Sequence, residues 1–127
     1  QIDFVDPVKA ENSIKAMNTL GVKWDEGASK EEKLQRIITQ KWIANFPLSC
    51  EAWAEYRRTG YPKLMPMAAD ASGGIVNDAE GARRMPYPTD EYRENRESVE
   101  AAVATLTQES KTKRGDTMAT HVWWDCK

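Results

Sequence analysis

A capping box followed by an apolar rhythm is the feature that most constrains how this chain folds. Ser29 and Glu32 stand three residues apart, so each side chain can accept a hydrogen bond from the backbone amide of the other at a helix start. Apolar residues then recur every three or four positions until Pro47 stops the pattern. The sequence therefore predicts a helix over residues 29–45, with one face formed by Leu34, Ile37, Ile38, Lys41, Trp42 and Phe46.

The segment before this helix carries a second helical pattern. Asp6 can serve as an N-cap, Pro7 suits the first helical turn, and Gly21 is a typical helix terminator. A helix is therefore predicted over residues 7–20. Its apolar positions are Val8, Ala10, Ile14, Met17 and Leu20.

Two later segments are also predicted to be helical. One covers residues 49–59 and ends at Gly60, and the other covers residues 95–107, after a short helical turn that starts at Thr89 or Asp90. The connections between the first three helices are short, which favours antiparallel neighbours. The face of the last helix is narrow and rich in alanine, with Val99, Ala102, Val103 and Leu106 at helical spacing.

The remaining segments lack a helical period. Residues 60–88 form a predicted irregular loop, in which only residues 74–76 suggest a short strand, and long loops of this kind are functional or pack on a larger body. Residues 108–114 are expected to form a solvated turn, and residues 116–127 an aromatic tail. The helical period between residues 60 and 88 is broken by Pro62, Pro66, Gly73, Gly74, Gly81, Pro86 and Pro88.

Composition narrows the classes of function. The 127 residues suit one domain, and 18 basic against 20 acidic side chains give a net charge of −2, which argues against nucleic acid as a partner. No run reaches the roughly 18 apolar residues of a membrane helix.

Cys50 and Cys126 could form one bridge or remain two unrelated thiols, so no disulfide is predicted. With a single histidine there is no ligand set for structural zinc, and no metal site is predicted.

Candidate catalytic groups have simpler explanations. Glu51 and Glu55 lie four residues apart and could act as the paired carboxylates of a hydrolase, but Arg58 makes a solvated helix face with local ion pairs the preferred interpretation. The sole histidine, His121, is interpreted as an ordinary tail residue. The acidic loop over residues 70–80 does not fit the calcium-loop template. No catalytic residue is therefore predicted.

Five tryptophans are the unusual feature of the composition, because tryptophan serves both to fill cores and to stack on sugar rings. Trp42 and Trp53 fall on predicted helix faces and are assigned to the core. Trp24 in a turn and Trp123 and Trp124 near the end are weak candidates for ligand binding. Adjacent tryptophans can equally serve to hold a tail in place, and both interpretations stay open.

Several separated segments follow one another along the chain: residues 38–44, 50–62 and 83–88, then Glu91 and Asn95, and finally residues 115–118 and 122–125. Taken together in this order, they resemble the signature of the C-terminal part of SusD/RagB-like proteins. The resemblance covers nearly the whole chain from about Trp24. The loop over residues 67–82 matches nothing in the pattern.

The resemblance implies a longer, all-helical protein with tetratricopeptide-like helix pairs in its N-terminal part. It also implies a lipid-anchored position on the surface of the bacterial outer membrane and a SusC-like TonB-dependent transporter as partner. Such proteins capture oligosaccharides, or in some cases peptides, without catalysis or cofactor. A purely structural role, completing the scaffold and contacting the transporter, is the alternative. The signature residues expected to build the scaffold are Trp42, Trp53, Tyr56, Arg57, Arg58, Tyr61, Pro62, Arg84, Pro86, Tyr87 and Pro88.

Overall fold

The computed structural model describes residues 3–67, 69–110 and 112–125, and these residues are mainly helical. They contain no β-strand, and their one β-feature is an isolated antiparallel bridge between Phe4 and Ile14. The predicted fold class is confirmed. The chain divides into two compact units, Gln1–Met65 and Pro66–Lys127. The helices are a short 3-10 helix (Ala10–Asn12), α1 (Lys30–Ala44), α2 (Ser49–Thr59), α3 (Thr89–Glu94) and α4 (Arg96–Glu109).

Helix α1 begins with the predicted capping box. Ser29 Oγ accepts from the Glu32 amide at 3.2 Å, and Glu32 Oε2 accepts from the Ser29 amide at 2.9 Å. Ile38 lies at the centre of the buried face and is 4% exposed. The predicted burial of Ile37 and Phe46 is wrong, because they are 53% and 88% exposed. Within the described residues α2 is the only helix that packs on α1, so it covers a narrower face than the apolar pattern offers.

Helix α2 packs on α1 through aromatic rings. Trp42 and Tyr56 meet edge to face, with ring centroids 6.2 Å apart and planes at 69°, a favourable aromatic geometry. Ala52 on α2 is buried. Gly60 ends α2 with φ of +72°, and its amide donates to the Tyr56 carbonyl at 2.7 Å. This left-handed conformation is easy for glycine and explains the abrupt end.

The predicted helix over residues 7–20 is wrong. Asp6 does act on backbone amides as a cap would, since its Oδ1 accepts from Val8 at 2.8 Å and from Lys9 at 2.9 Å. The chain then makes only the 3-10 turn Ala10–Asn12. Side chains compete for the backbone here, a known reason why Asp, Asn and Ser favour turns over helix interiors.

Tertiary context completes this correction at the N-terminus. Phe4 and Ile14 exchange two backbone hydrogen bonds of 2.9 Å, which an α-helix through Ile14 would forbid. Val8 is 85% exposed, and Ile14 and Met17 are 40% and 44% exposed, so the apolar positions of this segment are only partly buried. A short helix is marginal without such burial.

In the second unit α3 and α4 contact each other, and Val99 on α4 is 4% exposed. Helix α4 extends to Glu109, two residues beyond the predicted end. The following Ser110 is 2% exposed, so this part of the predicted solvated turn is buried. Gly115 approaches α4 closely: a Cβ placed on it would lie 3.0 Å from Thr107 Oγ1, and its φ is +66°.

The segment between α2 and α3 has neither helix nor strand among its described residues, as predicted. The suggested strand at residues 74–76 is wrong, because side chains bend the backbone there. Asp70 accepts from the amides of Ser72 and Gly74 at 2.7 and 2.6 Å, and Ser72 Oγ accepts from the Val76 amide at 2.9 Å. Across the described part of the chain, the helices lack the length and apolar character needed to cross a membrane.

Candidate functional site

The signature residues of the first unit contact one another. Arg57 is buried, and its guanidinium lies 3.7 Å from the centroid of the Trp53 ring, a cation–π contact. Tyr61 is buried, and its hydroxyl donates to Glu31 Oε1 at 2.9 Å. Burial raises the pKa of the Tyr61 phenol, and the Glu31 carboxylate raises it further. These contacts fix the end of α2 against the start of α1.

The pair Glu51 and Glu55 does not have the electrostatics of a hydrolase site. Lys41 Nζ lies 2.7 Å from Glu51 and 3.2 Å from Glu55, and Arg58 lies 2.5 Å from Glu55. The hydrogen bond from Arg58, helped by Lys41, outweighs burial and holds the pKa of Glu55 below 4.5. A general acid needs a raised pKa, so the pair suits the surface ion-pair interpretation.

A groove of about 350 Å³ lies in the first unit, between the N-terminal segment, α1 and the residues that follow Pro62. Trp42, which the sequence assigned to the core, is half-buried and lines this groove. Asn18 ties the segments together, because it bonds both the amide and the carbonyl of Lys63, at 3.2 and 3.1 Å. The other lining side chains are largely apolar, and they include Phe4, Ile14, Met17, Ile43, Leu64 and Met65.

Trp24, a weak ligand-binding candidate, is 45% exposed in the first unit. Its Nε1 donates to Glu26 Oε1 at 2.8 Å, and Lys33 Nζ lies 5.7 Å from the ring centroid. Both the polar edge and one face of the ring are therefore engaged within the turn. These contacts reduce the part of the Trp24 ring on which a flat ligand could stack.

In the second unit a buried ion pair organises the chain end. Arg83 donates through Nε to Asp125 Oδ2 at 2.8 Å and through a second nitrogen to Oδ1. The two side chains are 4% and 0% exposed. His121 Nδ1 lies 3.3 Å from the same carboxylate, and Nε2 lies 3.5 Å from Glu80. The interpretation of His121 as an ordinary tail residue is wrong, because its side chain is only 11% exposed within this cluster.

A second cluster surrounds Asp116. Arg84 pairs with its carboxylate, the Tyr87 amide donates to both oxygens at 3.1 Å, and the Tyr92 hydroxyl donates at 2.7 Å. Burial alone would raise the pKa of Asp116, but these hydrogen bonds together hold it below 3.8. The Arg84 guanidinium also lies 5.1 Å from the centroid of the Tyr87 ring. The signature at residues 83–88 thus joins the 115–118 segment.

The two terminal tryptophans differ in exposure. Trp123 is 81% exposed and Trp124 is half-buried. The backbone that carries them is fixed on both sides, since Thr120 is 0% and Asp125 is 1% exposed. Thr120 Oγ1 donates to the Gly115 carbonyl at 2.6 Å, and the Asp125 amide donates to the Val122 carbonyl at 3.0 Å. Trp123 therefore presents an aromatic surface from a firmly held turn.

A cleft of about 260 Å³ lies beside the Arg83–Asp125 pair. We call it the His121 cleft. Its polar groups come from the irregular loop and from the segment after α4, which sequence periodicity could not bring together. The lining residues are Ile75, Asn77, Glu80, Gly81, Arg83, Thr112, Arg114, Ala119 and His121.

Other candidate groups have structural roles. Hydrogen bonds from Ser72 and from the Gly74 amide lower the pKa of Asp70 and occupy its carboxylate. Among the described residues, no group of three or more His, Cys, Asp or Glu side chains could hold a metal ion. Cys50 is an exposed free thiol, whereas Cys126 lies outside the described residues.

The remaining signature residues differ in exposure. Pro62 is buried and Arg58 lies at the surface on Glu55. Pro86 and Pro88 are exposed on the segment that leads into α3. Reasoning from the sequence missed Arg83, Asp116, Asp125 and His121 as organising residues. For Arg83, Asp116 and Asp125 the available signal was their position inside the short matching segments at residues 83–88, 115–118 and 122–125, whereas His121 lies just before the last of these segments.

The family model for SusD-like proteins, described as SusD and RagB outer membrane lipoproteins, matches residues 1–125. This chain belongs to the SusD-like family. No curated protein matches it significantly.

Solved structures support the same assignment. A SusD homologue from Bacteroides ovatus is 78% identical, with a TM-score of 0.83, over 91% of this chain and 23% of that protein. A homologue from Bacteroides uniformis is 54% identical, with a TM-score of 0.85, over 98% and 25%. A chitin-binding SusD homologue from Flavobacterium johnsoniae is 43% identical, with a TM-score of 0.85, over 99% and 25%. The chain spans about a quarter of the length of these proteins.

Proposed function

We propose that this chain is part of a surface lipoprotein that captures oligosaccharide and delivers it, without catalysis, to a SusC-like TonB-dependent transporter in the outer membrane. The observation that carries the proposal is membership of the SusD-like family over residues 1–125. The chitin-binding homologue, 43% identical over nearly the whole chain, supports a glycan as the ligand class. The ion-paired state of Glu51 and Glu55 also agrees with binding rather than hydrolysis.

Trp123 is the side chain of this segment best suited to contact a sugar. It is 81% exposed, and its backbone lies between the buried Thr120 and Asp125, so little loop order has to be gained on binding. A flat indole can cover the apolar face of a pyranose ring. Trp24 is the weaker candidate, because it is only 45% exposed.

Isothermal titration of the full-length protein against chito-oligosaccharides, other glycans and a peptide panel tests the proposal. We expect saturable binding of at least one oligosaccharide with no product released over the time of the titration. Absence of binding across the glycan panel would contradict glycan capture. Binding confined to peptides would instead identify peptides as the ligand class. Copurification with a TonB-dependent transporter from outer membranes tests the delivery step.

Paired alanine variants test the role of the exposed tryptophans. Trp123→Ala is expected to weaken oligosaccharide binding about tenfold, the loss of one stacking contact. Trp24→Ala, a matched removal of an indole, is expected to change it less than twofold. Equal effects of the two variants, or none, would contradict the assignment of Trp123.

A purely structural or docking role is the second candidate. One observation favours it: the signature side chains contact each other, as in the Arg57–Trp53 and Trp42–Tyr56 pairs. Alanine at Trp24, Trp123 and Trp124 separates the two functions. Loss of ligand binding with an unchanged melting temperature favours capture, whereas loss of folding favours the scaffold role.

A further inference from the structure

The His121 cleft brings together hydrogen-bonding groups that the fold leaves uncommitted. Arg114 donates through Nη1 to the Ile75 carbonyl at 3.3 Å, and within the described residues no hydrogen bond occupies its other nitrogens. Asn77 Oδ1 accepts from the Ala79 amide at 2.8 Å, which leaves the Nδ2 donors of Asn77 available. Glu80 is half-exposed, and its carboxylate contacts His121 Nε2 only at 3.5 Å.

The charges of the cleft do not favour an ion. Asp125 neutralises Arg83, and Arg114 and Glu80 contribute one charge of each sign. A phosphate or sulfate prefers several cationic donors, and a calcium ion prefers several oxygen ligands of negative charge. Neither set is present among the lining residues.

A sugar hydroxyl fits this mixture, because it both donates and accepts hydrogen bonds. The Glu80 carboxylate can accept from one hydroxyl, while Arg114 and the Asn77 amide can donate to its neighbours. His121 and Arg83 are buried and held by Asp125, so the back wall of the cleft is fixed before a ligand arrives.

Size and lining limit the ligand further. The volume of about 260 Å³ equals the space of roughly nine water molecules and lies below the usual range for a whole drug-sized ligand. It therefore suits one sugar unit rather than a chain. Ile75 and Ala119 are the only apolar side chains among the lining residues, which gives little to attract the apolar side chain of a peptide.

We propose that the His121 cleft is a subsite for one uncharged sugar unit of the captured oligosaccharide, recognised through neighbouring hydroxyls by Glu80, Arg114 and Asn77. Trp123 does not line this cleft, so the subsite is an addition to the stacking surface. The inference rests on the proposed function, because it names a contact that the captured glycan makes.

Titration of the full-length protein with chitotriose, N-acetylglucosamine and glucose tests the subsite, with inorganic phosphate and diglycine as comparison ligands. Glu80→Gln and Arg114→Met each remove a charged hydrogen-bonding partner and are expected to weaken binding of the responsive sugar at least about tenfold. Glu97→Gln, at an exposed position on α4 outside the cleft, is the matched control and should leave binding unchanged.

Nuclear magnetic resonance supplies a local readout. The ring resonances of His121, assigned by their loss in His121→Gln, are expected to shift when the sugar binds and to stay in place in Glu80→Gln at the same sugar concentration. Because Glu80 and Arg114 are exposed, both variants should keep the melting temperature of the parent.

The outcomes separate the subsite from the wider function. Oligosaccharide binding that is equal in the parent and in both cleft variants overturns the subsite and leaves glycan capture standing. No glycan binding to any variant overturns capture and the subsite together. Phosphate or diglycine that shifts His121 where sugars do not overturns the assignment of the cleft to sugar.

Discussion

The most deeply buried side chains of the described residues are polar, not apolar. Thr120 and Asp125 are 0% and 1% exposed, and Arg83 and His121 lie beside them. Buried charges of this kind are stable only when paired and hydrogen-bonded, because their removal from water is costly. The bidentate contact of Arg83 with Asp125 meets that requirement and ties the irregular loop to the chain end.

Asp125→Asn is expected to destabilise the protein by about 3–5 kcal/mol, because it leaves the Arg83 guanidinium buried without its counter-charge. Chemical denaturation of the full-length protein measures the change. Asp90→Asn is the matched control: its pair with Arg93 is 75% and 70% exposed, and its loss should cost less than about 1 kcal/mol. Similar costs for the two variants would contradict the special role of Asp125.

The ionisation of Asp116 makes the free energy of unfolding depend on pH, and the direction of this dependence follows from the lowered pKa. The pKa of this carboxyl is below 3.8 in the folded state, so folding favours the ionised form. The stabilisation is complete above the unfolded pKa of about 3.9 and is lost as the pH falls through the lower folded pKa. The difference in unfolding free energy between the parent and Asp116→Asn should therefore stay constant from neutral pH to about pH 5 and shrink below about pH 4. A difference that persists unchanged to the lowest pH would contradict this account.

Among the helices, local signals succeed where a tertiary partner is also present. Helix α1 has both a capping box and a packing partner in α2, and its bounds follow the prediction closely. The segment at residues 7–20 has a capping aspartate and an apolar rhythm, but Val8 remains exposed and no α-helix forms. Short helices need burial of an apolar face, so a cap alone does not decide the outcome.

Ser29→Ala is expected to destabilise α1 by about 1 kcal/mol, since the Glu32 amide loses its acceptor and the Glu32 side chain loses a partner. The free energy of unfolding measures the loss. Ser49→Ala is the control at the start of α2, a helix without a side-chain cap, and should stay within about 0.5 kcal/mol of the parent. An equal effect at both serines would argue against the capping box as a source of stability.

Over the chain as a whole, large apolar side chains remain at the surface of the first unit. Ile43, Phe46 and Leu48 are 64%, 88% and 64% exposed, close together in sequence around the connection between α1 and α2. The chain also spans only about a quarter of the length of its solved relatives. Exposed apolar patches promote association.

Phe46→Ser is expected to reduce self-association of the 127-residue chain without loss of stability, because Phe46 contributes exposed apolar surface and little packing. Analytical ultracentrifugation over a range of concentrations measures the association. Ile38→Ser, at a position 4% exposed, should instead destabilise the fold. Unchanged association in Phe46→Ser would show that this surface is not responsible.

The sequence by itself determined α1, α2 and α4, because apolar spacing, the capping box of α1 and the terminating Gly60 after α2 act within a few positions of one another. It also determined the family, through short segments in a fixed order. Only the tertiary structure decided that Arg83 meets Asp125 across 42 positions and that Glu80 and His121 face one cleft. The irregular segments have no repeating pattern of apolar residues from which contacts between distant positions could be predicted. These contacts depend instead on burial and charge pairing in the folded chain.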